Sequence, residues 1–524
     1  MPLAVHRSAP LLALLAALLT GCTVGPSDRP PVAVRDAGAP GARPLPPPMP
    51  SPSVTPASPG RYDPATLPWQ DCTATLAPAL GPATSPATPP RIDCADLWVD
   101  TDLAIPGLGG SVRLDVSRVG SGPAPLVVLG EAGGEVGTVR AARLAGQLPP
   151  AVLEEYTLVG LARRGTGPSS PIDCVPPGTR ADIIGAVPDP VGPEQLDGLL
   201  DITSTAIQTC VQELNQLLTA IDSVSTAGDL EQLRMVLDAP VLNLLVLGEA
   251  SRSAVSFLQR YPASVGRVVL DGAPDPTLDL VGTAEAEARA AEQGFDAFAA
   301  DCVSRGCPLA PDPRQALVDL AASLRTEPLS SDAHRITSGT AHQAVLEELG
   351  DPQRWIELAE ALDAASMGNG NGIAVLVEPL ITGIAGLPAR FDPGLATRCN
   401  DSAVRVPPER AEQLVEEWGG RYPLFGALFA QRLLLCSAWP VPAEPTQGGR
   451  ASSAPPVLVI ATEGDPRTPA EGTRRTANAL SSAVLVNWQG RAHGAVGASP
   501  CANDVVTRYL VDAQLPVQAT LCPP

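Results

Sequence analysis

The chain reads as an α/β protein, with a mainly parallel sheet covered by helices on both faces and a long helical insertion. Three observations predict this. Apolar or alternating runs at 111–119 (SVRLDVSRV), 125–129 (PLVVL), 156–161 (YTLVGL), 241–247, 267–271 (RVVLD), 456–461 (PVLVIA) and 483–488 (AVLVNW) read as strands. Helical patterns lie between most of them, the clearest being LEQLRMVL before the 241 strand and SAVSFLQRYP after it. A repeating helix, strand, sharp turn and helix implies parallel strands buried on both faces. Residues from about 275 to 450 break the alternation with mostly helical sequence, which predicts a cap inserted over one edge of the sheet. No internal repeat is apparent.

Taken in order, the chain opens with a signal. Arg7 precedes LLALLAALL at 11–19, too short for a lasting membrane span and suited to the apolar core of a secretory signal. Thr20, Gly21 and Cys22 follow, and this L-T-G-C ending is similar to a bacterial lipobox, in which cleavage before the cysteine leaves a lipidated N-terminus. Residues 23 to about 65 are rich in Pro, Ala, Ser and Gly, including RPLPPPMPSPSVTPASPG, and cannot bury a core. The predicted organisation is a lipoprotein signal peptide at 1–21, a Pro-rich tether at 22–65, a first core part at 66–274, a helical cap at 275–450 and a C-terminal core part at 451–524.

Composition narrows the function. The 524 residues carry 44% hydrophobic and 17% charged side chains, enough for a large core. A net charge of -21 opposes nucleic-acid binding, which needs concentrated positive charge. All 35 basic residues are arginine, a feature that a GC-rich genome explains without chemistry. Setting Cys22 aside leaves ten of the eleven cysteines, an even set that in an exported chain suggests five disulfides. There is no CxxC pair, and His6, His334, His342 and His493 form no ligand cluster, so neither metal nor cofactor is expected.

Several stretches carry a family resemblance: YTLVGLARRGTGPSSPIDC at 156–174, RVVLDGAPDPT at 267–277, LVIATEGDPRTP at 458–469, GRAHG at 490–494, and SPC at 499–501 with the trailing YLVDAQLP and Cys522. From about Cys72 to Cys522 the chain resembles secreted α/β-hydrolases of the tripeptidyl-aminopeptidase-like (TAP-like) group of bacterial serine exopeptidases. The resemblance implies an α/β-hydrolase fold with an inserted cap. With local spacing, it also implies the pairs Cys72–Cys94, Cys174–Cys210, Cys302–Cys307, Cys399–Cys436 and Cys501–Cys522.

The group's chemistry needs serine, aspartate and histidine in that chain order, plus backbone N–H donors facing an oxyanion. The resemblance places the general base at His493 and its orienting carboxylate at Asp465, although an Asp in a D-P-x-T-P loop also serves as ordinary turn chemistry. The nucleophile's position is different. The group's turn reads G-[FY]-S-Y-G-T, and aligning YPASVGRVVLDG without a gap sets VLGEAS over it. Gly248 then stands where the serine belongs, Glu249 follows it and Ala250 replaces a glycine. Asn243 falls on the asparagine common before this strand, so both flanks support one register. The rival is a shifted elbow at Ser251, which would place Glu249 and Ser253 where small residues normally allow strand and helix to pack. In the ungapped register Ser251 instead begins the helix, as a cap or packing residue.

The oxyanion loop departs as well. The group's N-P-G-G-P-G-G-S becomes VLGEAGGE at 128–135, which keeps Gly133 and Gly134 and adds Glu131 and Glu135. Together with Glu249, these carboxylates are expected to oppose an oxyanion. At about 6 Å and an effective dielectric near 20, each costs on the order of 3 kcal/mol, comparable with the roughly 3 to 4 kcal/mol that one oxyanion donor supplies. The group's D-P-R-G-T-G becomes ARRGTG, with Ala162 and Arg163 in place of aspartate and proline.

The resulting reading is an exported protein, lipid-anchored through Cys22 to the outer face of a bacterial membrane. It lacks serine-peptidase chemistry and keeps its pocket for a peptide or small molecule, or as structure. The alternative is an active extracellular serine hydrolase or aminopeptidase using Ser251, His493 and Asp465. A third class is a scaffold presenting its cap to an envelope protein.

Overall fold

The structure is a computed structural model that describes residues 67–81, 90–101, 110–188, 193–440 and 455–524. Cys22, the signal peptide and the tether lie outside the described residues. The strands are β1 (Gln70–Asp71), β2 (Ile92–Asp100), β3 (Ser111–Val119), β4 (Ala124–Leu129), β5 (Tyr156–Leu161), β6 (Leu242–Leu247), β7 (Val265–Asp271), β8 (Leu329–Ser330), β9 (Arg335–Ile336), β10 (Val457–Thr462), β11 (Ala483–Trp488) and β12 (Thr520–Cys522). Ten of them form one sheet in the order β1-β2-β3-β5-β4-β6-β7-β10-β11-β12, and β8 and β9 make a separate hairpin. The pairs from β5 through β12 are parallel, whereas β1, β2 and β3 join antiparallel at one edge.

The apolar runs become central strands because both faces of the sheet are covered. Every residue of β4, β5, β6 and β7 is buried. On β6, Leu242, Leu244 and Val246 share one core with Phe257 and Leu258 of the following helix. Leu245 faces the other way, toward Leu144, Val506 and Tyr509. The buried Asn243 fits this apolar setting because its amide is satisfied: it donates to the Pro125 carbonyl at 2.9 Å and accepts from Arg267 N–H at 2.9 Å, tying β6 to its two neighbours.

This strand order sets the site. From β4 the chain moves to β5 on one side, and β6 then returns to the other side of β4. Such a reversal leaves a crevice beyond the carboxyl ends of the two strands that diverge from it. Leu129 pairs with Val246, so Glu131 and Gly248, just past those ends, emerge side by side. β10 and β11 deliver Asp465 and His493 to the same edge.

The insertion is helical, as expected, apart from the short β8–β9 hairpin. Its hydrophobic core reaches further back along the chain than residue 275. Ile183, Leu199 and Ile207, on the helices Pro177–Ile184 and Pro193–Leu214, pack into one cluster with Phe295, Leu358, Phe425 and Leu434. Arg180 and Asp392 form a buried ion pair within this cap at 2.7 Å. All five expected disulfides are present: Cys72–Cys94, Cys174–Cys210, Cys302–Cys307, Cys399–Cys436 and Cys501–Cys522. Such pairing belongs to a chain that folds in an oxidising, extracytoplasmic compartment.

Candidate functional site

β6 ends at Leu247, and the chain turns through Gly248 at φ 57° into a short 3-10 segment, Gly248–Ala250, and the helix Ser251–Arg260. This left-handed conformation suits glycine. A Cβ at Gly248 would lie 2.1 Å from Glu131 Oε1 and 3.0 Å from His493 Cε1. The space in front of the elbow, where a side chain would project, is therefore filled by the Glu131 carboxylate.

Glu131 is held at both oxygens. Oε1 accepts the Glu249 backbone N–H at 2.9 Å, the N–H that follows the elbow residue, and Oε2 sits 3.0 Å from His493 Nε2. The Arg467 guanidinium lies 3.9 Å away. On its other side, His493 Nδ1 is 3.1 Å from each Asp465 oxygen. With a carboxylate on each ring nitrogen, both bonds form only if both nitrogens donate, which is the imidazolium. Burial alone would lower the imidazole pKa, but Asp465 and Glu131 more than reverse it, pushing His493 up to about 10. Burial likewise opposes ionisation of Glu131, and His493, Arg467 and the Glu249 N–H overcome it, holding its carboxyl far below the usual range.

Asp465 keeps both roles open to it. Its Oδ1 accepts the N–H groups of Arg467 and Thr468 at 2.8 Å, closing the turn, while the same carboxylate orients His493. Two further positioning groups were not singled out as site residues in the sequence. Buried Asp271 at the end of β7 accepts from Ala495 N–H at 2.9 Å and Val496 N–H at 2.9 Å, fixing the loop that carries His493. From the cap, the Gly350 carbonyl accepts the His493 N–H at 2.8 Å.

The expectation that three glutamates act together as repelling charges is corrected. Glu135 is drawn away into ion pairs with Arg143 at 2.7 Å and Arg140 at 3.9 Å. Glu249 is neutralised by the buried Arg163, whose Nη1 bonds both carboxylate oxygens at 3.0 and 2.7 Å. The departures at 163 and 249 are thus two halves of one ion pair, a link invisible in sequence because 86 positions separate them. Glu131 accepts the Glu249 N–H, the donor expected to face an oxyanion. Of the remaining oxyanion candidates, Gly134 N–H closes a turn on the Glu131 carbonyl at 3.1 Å, and Gly133 lines the cavity.

Ser251 opens its helix without capping it, and its buried Oγ has no hydrogen-bond partner among the described residues. It lines a cavity of about 600 Å³ between the sheet's carboxyl edge and the cap, whose wall also includes Glu131, Glu249 and Arg467. Among the described residues, no group of three or more His, Cys, Asp or Glu side chains is arranged to hold a metal ion.

Residues 422–522 match the family model described as TAP-like protein. The chain is an α/β-hydrolase-fold protein with a TAP-like C-terminal region. Over 416 residues it is 26% identical to the serine protease Hip1 of Mycobacterium tuberculosis, covering 74% of this chain and 79% of that protein. Over 484 residues it is 23% identical to the tripeptidyl aminopeptidase of Streptomyces lividans, covering 88% and 87%. A solved hydrolase from Pseudomonas aeruginosa PA01 aligns with 79% of this chain and 98% of its own, at 13% identity and a TM-score of 0.34. The TAP-like region supplies Asp465, His493 and the Cys501–Cys522 bridge, whereas Gly248 and Glu131 both come from outside it.

Proposed function

We propose that this TAP-like protein is exported, anchored by lipid at Cys22, and devoid of serine-peptidase chemistry, its cavity serving to bind rather than to cleave. One observation carries the reading: the Glu131 carboxylate occupies the space in front of Gly248 and bonds both His493 and the Glu249 N–H. A serine hydrolase needs a hydroxyl there, a neutral imidazole to take its proton and an open donor for the oxyanion. Here the elbow offers a hydrogen atom, the imidazole is charged, and the donor is engaged by a resident anion. Glu131 stands in for the oxyanion of the intermediate, so the constellation keeps the electrostatics of a reaction it has no means to start.

The displaced-elbow reading has one observation in its favour, the unpartnered Ser251 Oγ on the cavity wall. Against it, both ring nitrogens of His493 already face carboxylates. Exposure of purified protein to a fluorophosphonate probe, alongside peptide and ester hydrolysis, separates the two readings. No labelling is expected, and Ser251→Ala should change nothing. Stoichiometric labelling that disappears in Ser251→Ala would establish the displaced hydrolase instead.

A further inference from the structure

The cavity wall carries seven arginines: Arg252, Arg289, Arg390, Arg398, Arg432, Arg467 and Arg475. Five have a carboxylate within ion-pair distance: Arg289 with Glu471 at 3.2 Å, Arg390 with Glu347 at 3.0 Å, Arg398 with Glu287 at 2.9 Å, Arg467 with Glu347 at 3.7 Å, and Arg475 with Asp275. Arg252 acts electrostatically on Asp401. Among the described residues, Arg432 has no such partner. Its guanidinium donates to the neutral Gln343 Oε1 and lies over the Phe429 ring, 4.9 Å from the centroid.

The surroundings of Arg432 give it no carboxylate of its own. Gln343 passes from Arg432 to Glu347 at 2.9 Å, and Glu347 is already shared by Arg390 and Arg467. Arg390 and Arg467 share Glu347, Arg398 pairs with Glu287 and Arg467 also faces Glu131, so of these guanidiniums only Arg432 lacks an ion-pair partner among the described residues. Arg390 Nε is a further buried donor without a partner among the described residues. Burial and the repulsion of Arg398 bring the Arg432 pKa down to about 10, which still leaves it charged at neutral pH. The cavity wall carries both signs of charge, and Arg432 is a half-buried guanidinium on it that no carboxylate pairs among the described residues. An enclosed, unpaired guanidinium is costly unless an anion meets it.

The remaining wall is largely apolar beside this charge, with Leu346, Leu380, Leu395, Leu428 and Phe429 on it. A cavity of about 600 Å³ lies in the range that small-molecule sites occupy. We propose that it binds an amphipathic monocarboxylate, with the headgroup on Arg432 and the apolar chain along these leucines. A planar carboxylate matches the guanidinium fork, which a compact ammonium or an alcohol does not. This deepens the reading of the cavity as a binding site, and an equilibrium measurement tests it apart from turnover.

The test is calorimetric titration of the mature protein with decanoate, decylammonium and decanol. Decanoate should bind most tightly, decanol should bind weakly through its chain, and decylammonium should not bind measurably. Arg432→Gln should weaken decanoate by about tenfold or more and leave decanol unchanged. Arg432→Met should raise the melting temperature of the ligand-free protein, since it removes an unpaired charge. Equal binding of decanoate by wild type and Arg432→Gln, equal binding of decylammonium, or failure of both Arg432 variants to fold would overturn the proposal. Fluorophosphonate labelling together with Arg432-dependent decanoate binding would sink the non-catalytic reading while leaving this one standing.

Discussion

At Gly248 the missing side chain and the added carboxylate are one arrangement. A serine placed there would meet Glu131 Oε1 at 2.1 Å in a backbone conformation that L residues adopt poorly, φ 57°. Gly248→Ser alone should therefore destabilise the protein by about 1 to 3 kcal/mol, read from urea melts, and should gain no fluorophosphonate labelling. Gly248→Ser with Glu131→Gly removes the obstruction, releases the Glu249 N–H and returns His493 toward neutrality. That double variant should label, and if it labels no better than either single change, Glu131 is not what blocks the site. A second residue-scale prediction concerns the charge pair itself. His493 is raised to about 10, so its contribution is complete below the ordinary imidazole range near 6.5 and is lost as pH rises through about 10. Glu131 is lowered, so its contribution is present above the ordinary carboxyl range and is lost as pH falls through the depressed value. Glu131→Gln should cost about 3 kcal/mol near neutrality, the low end for breaking a buried pair, because Asp465 remains on the other nitrogen. The deficit should shrink above pH 10 and again in acid. A deficit independent of pH would mean that Glu131 stabilises by packing alone.

Among the elements, the seven strand runs read from the sequence correspond to β3, β4, β5, β6, β7, β10 and β11, because an apolar run bounded by turns has few alternatives in a two-faced sheet. β2 escaped because IDCADLWVD intersperses Asp93, Asp96 and Asp100 among its apolar residues. On this antiparallel strand, second from the sheet's edge, Ile92, Leu97 and Val99 are buried, while Asp93 pairs with Arg118 at 3.1 Å and Trp98 stays exposed. The cap's inner edge was hidden for another reason. The helices Pro177–Ile184 and Pro193–Leu214 precede β6 in the chain, and amphipathic periodicity says that a helix buries a face without saying which core receives it. The site divides along the same line. Positions held by local pattern, namely Gly248, Asp465 and His493, were legible from their flanks. Partners contributed across the fold were not: Glu131 and His493 are 362 positions apart, and charge reasoning without geometry took Glu131 as a repelling charge when it bonds His493 and the Glu249 N–H. The cap also reaches the site directly, since an added Cβ at Gly350 would approach His493 Cβ to 2.9 Å, a constraint that no single stretch of sequence records.

Over the whole molecule, the net charge of -21 decides how the protein can meet a membrane. A bacterial membrane surface of anionic lipid attracts basic clusters and repels an acidic body, within a screening distance of about 10 Å at 0.1 M salt. None of the described helices is long and apolar enough to cross a bilayer. The lipid proposed at Cys22 would hold the protein at a membrane against this charge repulsion. Cys22→Ala should therefore move the protein from the membrane fraction into the soluble fraction at both low and high salt, while the wild type stays with membranes and enters detergent. The mature wild-type chain should begin at Cys22 with a mass increase corresponding to acyl chains. Salt should matter little for the wild type, since hydrophobic anchoring is not screened, and raised salt should slightly tighten membrane association by damping repulsion. Cys22→Ala protein that remains membrane-bound would point to a second anchor, and a mature chain that begins elsewhere without lipid would remove the anchor altogether.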